Sequence, residues 1–278
     1  MATTGATENF YHRVNESNID MLNRIYFNDK KYSYNHELIL NNIGNGNVIV
    51  KKDRITGLTS FLAAIIAIKL INEKNVNVIY IGNDQMNNSF KNKILDIIIS
   101  EHKYETLSKN CSSTILLKNS NNISFIGKSL DISKNFINKN TWVIFDEINL
   151  LPNKSLIFDK FLHFSENITL ISSNNSIDNV FFPIFFLGEK AGFKRLIIKY
   201  QNSEDEIIKT VLQKSDFISE KQFCKLFGGE YFYDSENNLQ NIDFLSLVDK
   251  ISKYKLSDEN ISFLDVIDFF ECEKIKII

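Results

Sequence analysis

The stretch Thr141-Trp142-Val143-Ile144-Phe145-Asp146-Glu147 decides the fold, because a short apolar run ends there in two adjacent carboxylates. The β-branched and aromatic residues predict a buried strand over 142–145, and the two acids follow at its carboxyl end. In this position Asp146 can organise Mg²⁺ through its water shell, and Glu147 can polarise an attacking water. The alternative interpretation is an exposed strand end without a chemical role.

A second stretch, Lys51-Lys52-Asp53-Arg54-Ile55-Thr56-Gly57-Leu58-Thr59-Ser60, lies between a predicted strand at 47–51 and an apolar, predicted helical segment at 58–71. A loop that leaves a strand and enters a helix offers free backbone N–H groups and the positive end of the helix dipole, and both bind phosphate. The order of strand, loop and helix therefore predicts a phosphate-binding loop. A solvated surface loop rich in lysine is the alternative.

Individual residues of this loop have distinct expected roles. Gly57 allows the backbone to approach a phosphate closely, and either Thr59 or Ser60 is placed to ligate Mg²⁺. Leu58 stands where a Walker A loop usually has the lysine that reaches the β- and γ-phosphates. The cations that are available to supply this charge instead are Lys51, Lys52 and Arg54. Arg54 is expected to stabilise charge that develops on the γ-phosphate, and a salt bridge to Asp53 or a surface position is the alternative.

A third stretch, Ile168-Thr169-Leu170-Ile171-Ser172-Ser173-Asn174-Asn175, is another apolar strand that ends in small polar side chains. Ser172, Ser173 and Asn174 are suited to sense the γ-phosphate or to position water. A phosphate loop, an acidic strand end and a polar strand end occur here in the order that is typical of P-loop NTPases of the additional-strand type.

The remaining hydrophobic pattern extends this prediction to the whole chain. Further strands are predicted over 76–81, 114–117, 123–126 and 196–200, and helices over 89–101 and 157–164. Strands that alternate with helices predict an α/β fold with a mostly parallel central sheet flanked by helices. The predicted divisions are an N-terminal helical segment, the P-loop ATPase core and a small helical C-terminal subdomain, at 1–43, 44–202 and 203–278.

Composition excludes several classes of protein. Hydrophobic residues make up 44% of the 278 residues and aromatic residues 12%, which predicts a folded chain. The longest uncharged apolar run, 61–68, is far shorter than the roughly 20 residues that span a bilayer, so we expect no membrane helix. A formal net charge of -2 excludes a strongly basic, histone-like DNA binder. The widely spaced cysteines and histidines predict neither a disulfide framework nor a zinc site.

The three stretches together resemble the N-terminal ATPase domain of the large subunit of tailed-virus DNA-packaging terminases. The P-loop of this family has the form R-x-x-G-x-[ST], which is similar to Arg54-Ile55-Thr56-Gly57-Leu58-Thr59. In some members a lysine stands three residues before the arginine, as Lys51 does here. The Walker B strand of the family resembles 143–147, and its coupling motif of Ser/Thr and Asn resembles 172–174.

Two softer similarities and one departure accompany these motifs. Segment 117–123 resembles the hairpin that precedes Walker B in the family, and segment 222–232 resembles the motif that ends its ATPase domain. The Arg-Gly pair that the family carries shortly before Walker B is absent from 133–140. The resemblance therefore extends over most of the chain and lacks one family motif.

The resemblance implies a motor ATPase that uses ATP and Mg²⁺ to translocate double-stranded DNA into a capsid. It implies a homo-oligomeric ring in the host cytoplasm, acting with double-stranded DNA, the viral portal and a small terminase subunit or a separate nuclease chain. Glu147 and Arg54 are then catalytic, and Thr59 and Asp146 hold Mg²⁺. The residues implied to bind the nucleotide are Lys51, Lys52, Arg54, Gly57, Leu58, Thr59, Ser60, Asp146, Ser172, Ser173 and Asn174.

The departures from the family leave alternatives open. The family's C-terminal nuclease needs metal-binding carboxylates spread over more chain than follows Asp234, so we expect no nuclease here. Leu58 and the absent Arg-Gly pair favour, as one alternative, a catalytically degenerate relative with a structural or assembly role. A helicase-like nucleic-acid-dependent ATPase is another alternative, although the sequence has no motifs of a second motor domain.

Overall fold

A computed structural model describes residues 17–27, 34–52, 56–102, 106–127, 139–173, 180–198, 249 and 251–256. Arg54 and Asn174 lie outside these residues, as do the motif at 222–232 and most of the predicted subdomain at 203–278. No helix in the described ranges is long and apolar enough to cross a membrane.

The described residues form eight strands and six α-helices. The strands are β1 (Val48–Lys52), β2 (Asn77–Ile81), β3 (Leu107–Cys111), β4 (Thr114–Leu117), β5 (Asn122–Ile126), β6 (Trp142–Asp146), β7 (Asn167–Ser172) and β8 (Lys194–Ile198). The α-helices are α1 (Asn18–Leu22), α2 (Tyr34–Asn42), α3 (Leu58–Asn72), α4 (Asp84–His102), α5 (Lys154–Leu162) and α6 (Phe181–Leu187). Short 3₁₀ turns follow β6 and α6, at Ile148–Leu150 and Gly188–Ala191.

The strands form one sheet in the order β3-β4-β5-β2-β6-β7-β1-β8. From β5 to β8 all neighbouring strands are parallel, and β3 and β4 add an antiparallel edge. β7 lies between β1, which leads into the predicted phosphate loop, and β6, which carries the two acids. This inserted strand defines the additional-strand type of P-loop fold, so the predicted α/β fold with a mostly parallel sheet is confirmed. The predicted helical C-terminal subdomain stays a prediction.

Helices cover both faces of the sheet and create two hydrophobic clusters. Alternate strand residues point to opposite faces, so Val48 and Val50 pack with α3 and α4, whereas Ile49 packs with α5 and α6. β1 and β6 are buried along their whole length, as expected for parallel strands covered on both sides. Helix α3 is buried nearly all round because its sequence is apolar on every face.

The predicted strands lie within two residues of the observed ones, with one consequence for the site. Lys52, predicted to begin the loop, is instead the last residue of β1 and is 9% exposed. It pairs with Ile198 of β8, and its amino group is neutralised by a carboxylate, so its burial is tolerated. Residues 199–200 of the predicted strand 196–200 lie outside the described residues.

Two elements were not predicted, and two helices begin earlier than predicted. β3 and α6 have no clear periodic pattern in the sequence. Helix α4 begins at Asp84 because the side-chain oxygen of Asn83 accepts a hydrogen bond from the backbone N–H of Met86, at 2.9 Å, which caps the first turn. α5 begins three residues before the predicted 157–164, at Lys154.

A short segment near the C-terminal end of the described residues packs on the core. The ring of Tyr254 contacts Phe158 of α5 edge-on, with centroids 5.7 Å apart. Lys253 forms an ion pair of 2.7 Å with Asp159 of the same helix. Residues 251–256 are therefore anchored on the α5 face of the sheet.

Candidate functional site

The sheet places the ends of β1, β7 and β6 side by side. Lys51 of β1 is in register with Ser172 of β7, and Ile171 of β7 is in register with Asp146 of β6. Because these strands are parallel, their carboxyl ends lie at one edge of the sheet, where ligands bind in open α/β folds. Three motifs that are far apart in the sequence thus form one candidate site.

The loop after β1 ends in a helix start that offers backbone donors. Gly57 precedes α3 with φ of 70°, a left-handed conformation that favours glycine, and it provides no side-chain cap. The first backbone N–H groups of this 15-residue helix therefore donate no hydrogen bond to a side chain of the capping residue. The hydroxyl of Tyr26 donates to the Gly57 carbonyl at 3.3 Å, so the N-terminal helical segment contacts this loop. Such a helix start is suited to bind phosphate.

The first three residues of α3 point in different directions. Leu58 is 2% exposed and belongs to the hydrophobic core. The Thr59 hydroxyl donates to Oδ2 of Asp146 at 3.3 Å, whereas the Ser60 hydroxyl accepts a hydrogen bond from Lys93 of α4. The sequence left Thr59 and Ser60 as alternative ligands of Mg²⁺. The rotation of the helix turns only Thr59 toward Asp146.

Asp146 is buried at the end of β6 with one of its oxygens unused. Oδ2 accepts hydrogen bonds from the hydroxyls of Tyr80, at 2.5 Å, and Thr59. Oδ1 is buried and has no hydrogen-bond partner among the described residues. Burial raises the pKa of this carboxyl, against the opposing effects of the Lys52 charge and the Tyr80 hydrogen bond. Oδ1 is the one carboxylate oxygen among the buried side-chain oxygens without a partner in the described part of the chain, so it is available to a further group.

Glu147 is held tightly across the sheet. Its backbone is left-handed, with φ of 53° and ψ of 51°, which turns the residue away from the direction of β6. Oε1 accepts from Nζ of Lys52 at 2.8 Å and from the Ser173 hydroxyl at 2.6 Å, and Oε2 accepts from the Ser173 backbone N–H at 2.8 Å. Burial alone raises the pKa of this carboxyl, but Lys52 and Ser173 outweigh it and lower the pKa. Glu147 is therefore ionised and oriented.

The two lysines at the end of β1 point to opposite faces of the sheet. Lys52 meets Glu147, and their side chains are only 9% and 11% exposed. The amino group of Lys51 lies 5.9 Å from the centre of the Phe185 ring in α6. Of the cations that the sequence offered, Lys52 is the one that the structure brings to Asp146 and Glu147, while Arg54 lies outside the described residues.

The polar end of β7 supplies a direct link to Glu147. Ser172 and Ser173 are both buried, and Ser173 contributes both its hydroxyl and its backbone N–H to the glutamate.

Tyr80 is a site residue that the sequence reasoning missed. The sequence did contain a signal for it, namely a tyrosine within the apolar strand β2. A buried phenol needs a hydrogen-bond partner, so this tyrosine could have been expected to contact a polar group.

The residues present fit a bound magnesium ion. The described part of the chain contains no group of three or more His, Cys, Asp or Glu side chains that could hold a metal. Mg²⁺ usually keeps several waters and binds one or two carboxylates together with substrate phosphates, so it does not require such a group. The free Oδ1 of Asp146 and the nearby Thr59 hydroxyl are the oxygen donors that this ion prefers.

Comparisons with known proteins agree with this architecture. No protein-family model matches the sequence, and no curated protein is similar to it in sequence. The ATPase domain of the large terminase of Thermus phage P74-26 superposes with a TM-score of 0.53 and 14% identity, over 73% of this chain and 95% of that one. A large terminase from a thermophilic bacteriophage superposes with a TM-score of 0.50 and 12% identity, over 73% of this chain and 54% of that one. The chain therefore has the fold of the ATPase domain of phage large terminases.

Proposed function

We propose that this chain is a Mg²⁺-dependent ATPase of the terminase type, which drives double-stranded viral DNA into a capsid. The observation that carries the proposal is the unused Oδ1 of Asp146 beside the Thr59 hydroxyl at the uncapped start of α3. Glu147, the next residue, is ionised and is oriented by two partners. A metal-binding acid, a second acid and a helix start that suits phosphate form the set that phosphoryl transfer requires.

Each group at the site has a role in this proposal. The amides of residues 57–60 bind the phosphates of ATP. Thr59 and Asp146 hold Mg²⁺, which neutralises charge on the phosphate oxygens when it is bound. Glu147 orients the attacking water and accepts its proton. Arg54, at the start of the loop, stabilises charge on the γ-phosphate.

The Lys52–Glu147 ion pair implies a change of partners when nucleotide binds. Lys52 provides an ammonium group in the part of the site that the structure describes, 2.8 Å from Glu147. In this proposal it takes the role of the missing Walker A lysine. Because phosphate carries more charge than a carboxylate, we propose that Lys52 moves to the phosphates. Ser173 then keeps Glu147 in place through its hydroxyl and backbone N–H, and Oε1 can accept a hydrogen bond from water where it had accepted one from Lys52.

The partners and setting follow from the terminase-like fold as part of the same proposal. The core at 44–202 acts as one unit of a homo-oligomeric ring on a viral portal in the host cytoplasm. A small terminase subunit, or a separate nuclease chain, completes the machine. Ser172, Ser173 and Asn174 transmit the state of the γ-phosphate to the surface that holds DNA.

Single-turnover hydrolysis of Mg-ATP, with and without double-stranded DNA, tests the proposed function. Turnover above that of an Asp146→Asn variant supports the ATPase, and a rise on adding DNA supports the motor. Hydrolysis at the background level with DNA, portal and partner chains present supports the catalytically degenerate alternative. The burial of Leu58 in the core favours that alternative, because no lysine occupies its position.

Mg-ATP is expected to raise the melting temperature of the chain even when hydrolysis is slow. At a nucleotide concentration about 100-fold above Kd, binding stabilises the native state by roughly 2.7 kcal/mol, or about 5–10 °C for a protein of this size. Differential scanning fluorimetry measures the shift. Asp159→Asn removes a carboxylate that pairs with Lys253, outside the candidate site, and is the matched control, which should shift like the wild type. No shift at millimolar Mg-ATP would count against nucleotide binding.

The two hydroxyls at the start of α3 are expected to differ in their effect on Mg²⁺. Thr59→Val should weaken Mg²⁺-dependent ATP binding by at least about tenfold, the lower limit usual when a group that supports a metal ligand is removed. Ser60→Ala should not, because that hydroxyl contacts Lys93 and not Asp146. Titration of a fluorescent ATP analogue with Mg²⁺ or EDTA measures both. Equal losses in the two variants would refute the assignment of Thr59.

A further inference from the structure

Tyr80 makes a contact that core packing does not require. It lies in β2, next to β6 and in register with Ile144, two residues before Asp146, and its hydroxyl reaches that carboxylate. Its hydroxyl donates to Oδ2 of Asp146 at 2.5 Å, and the Thr59 hydroxyl donates to the same oxygen at 3.3 Å. Both donors therefore use one oxygen, and Oδ1 stays buried without a partner among the described residues.

We infer that Tyr80 is a positioning residue that fixes Asp146 so that Oδ1 is left available to a divalent cation. This inference rests on the proposed function, since it assumes that Asp146 serves Mg²⁺. A carboxylate at the end of a strand can rotate about its last bond and exchange its oxygens. A hydrogen bond from a buried phenol to Oδ2 opposes that rotation and leaves the second oxygen for the metal.

The surroundings of Tyr80 make it a rigid donor. The side chain is fully buried, and its ring stacks on Phe90 of α4 with centroids 3.9 Å apart and planes inclined by 8°. Phe125 of β5 contacts the ring edge-on at 6.2 Å. Phenylalanine would satisfy both aromatic contacts. Among the described residues the hydroxyl adds only the bond to Asp146, and a buried hydroxyl is costly unless it is bonded in this way.

Tyr80→Phe tests this inference because it keeps the ring and removes the hydroxyl. The readout is the gain in affinity for a fluorescent ATP analogue when EDTA is replaced by Mg²⁺. The variant should bind the analogue as the wild type does in EDTA, whereas its gain from Mg²⁺ should fall by about 10- to 100-fold. A merely structural role predicts a lower melting temperature with an unchanged gain from Mg²⁺.

Two further variants test whether the effect of Tyr80→Phe comes from altered packing and whether it is exerted through Asp146. Phe125→Leu disturbs the packing around the same ring but leaves the hydroxyl, so it should lower the melting temperature without changing the gain from Mg²⁺. In an Asp146→Asn background, Tyr80→Phe should cause no further loss, because Tyr80 acts through that carboxylate. A full further loss in that background would overturn the inference.

The outcomes for this inference and for the proposed function are distinct. If the wild type gains affinity from Mg²⁺ and Tyr80→Phe gains as much, the role of Tyr80 is wrong and the proposed function stands. If the wild type binds the analogue no better with Mg²⁺ than with EDTA, the proposed function fails and the role of Tyr80 fails with it.

Discussion

Glu147→Gln is expected to keep ATP binding and to lower ATP turnover by at least the 10²- to 10⁴-fold that is typical of a positioned general base. Glutamine has the same shape, so its amide oxygen can still accept a hydrogen bond from Ser173, but it cannot take a proton from water. Single-turnover hydrolysis with double-stranded DNA measures turnover, and binding of a fluorescent ATP analogue measures affinity. Binding and chemistry should therefore separate in this variant.

A matched control for this variant lies elsewhere in the same domain. Glu101 of α4 forms a two-bonded ion pair with Arg24, with both distances at 2.7 Å, far from the ends of β1, β6 and β7. Glu101→Gln removes a partly buried ion pair without touching the site and should leave turnover unchanged. If the wild type and Glu147→Gln show the same background hydrolysis with DNA, portal and partner chains present, the motor proposal is wrong. The fold would remain, and its phosphate site would serve assembly or no purpose.

Lys52→Met is expected to destabilise the folded protein by about 3 kcal/mol, the lower end of the loss seen when one partner of a buried ion pair is removed. The charge of Glu147 would stay buried with only the two hydrogen bonds from Ser173. We expect the lower end of this range of free energies because those two hydrogen bonds remain and because both side chains are about a tenth exposed to solvent. Denaturant unfolding of the variant without nucleotide measures the loss.

The double variant Lys52→Met/Glu147→Gln separates an unpaired charge from lost packing. It contains no buried charge at this position, so most of the lost stability should return. Lys139→Met is the matched control, because Lys139 and Glu166 form an ion pair that is 79% and 70% exposed, and the unfolding midpoint should hardly change. A double variant as unstable as Lys52→Met would show that methionine fails to pack there, and that the ion pair is not the cause.

The elements that form the site were predictable because each one is encoded locally. The apolar runs that became β1, β6 and β7 are short and β-branched, and each is followed at once by polar residues. The apolar segment that became α3 follows a glycine that can adopt the left-handed conformation. Local propensity and hydrophobic burial act over a few residues, so a single sequence shows them.

Elements that depend on distant partners were not predictable. β3 is mostly exposed and polar, and it is a strand because it pairs with β4 at the edge of the sheet. α6 has the sequence FFPIFFL, which is apolar without a helical period, and its conformation is set by burial against the sheet. In both cases the deciding interaction is tertiary.

The sequence by itself determined that the three polar strand ends meet at the carboxyl edge of the sheet, whereas only the tertiary structure decided which side chains pair there. The insertion of β7 between β1 and β6 brings Lys52 to Glu147, two residues that are separated by 95 positions. The rotation of α3 turns Thr59 and not Ser60 toward Asp146, and the register of β2 against β6 brings Tyr80 to the same carboxylate. Strand order, helix rotation and register arise from packing over the whole core, and no local pattern of residues records them.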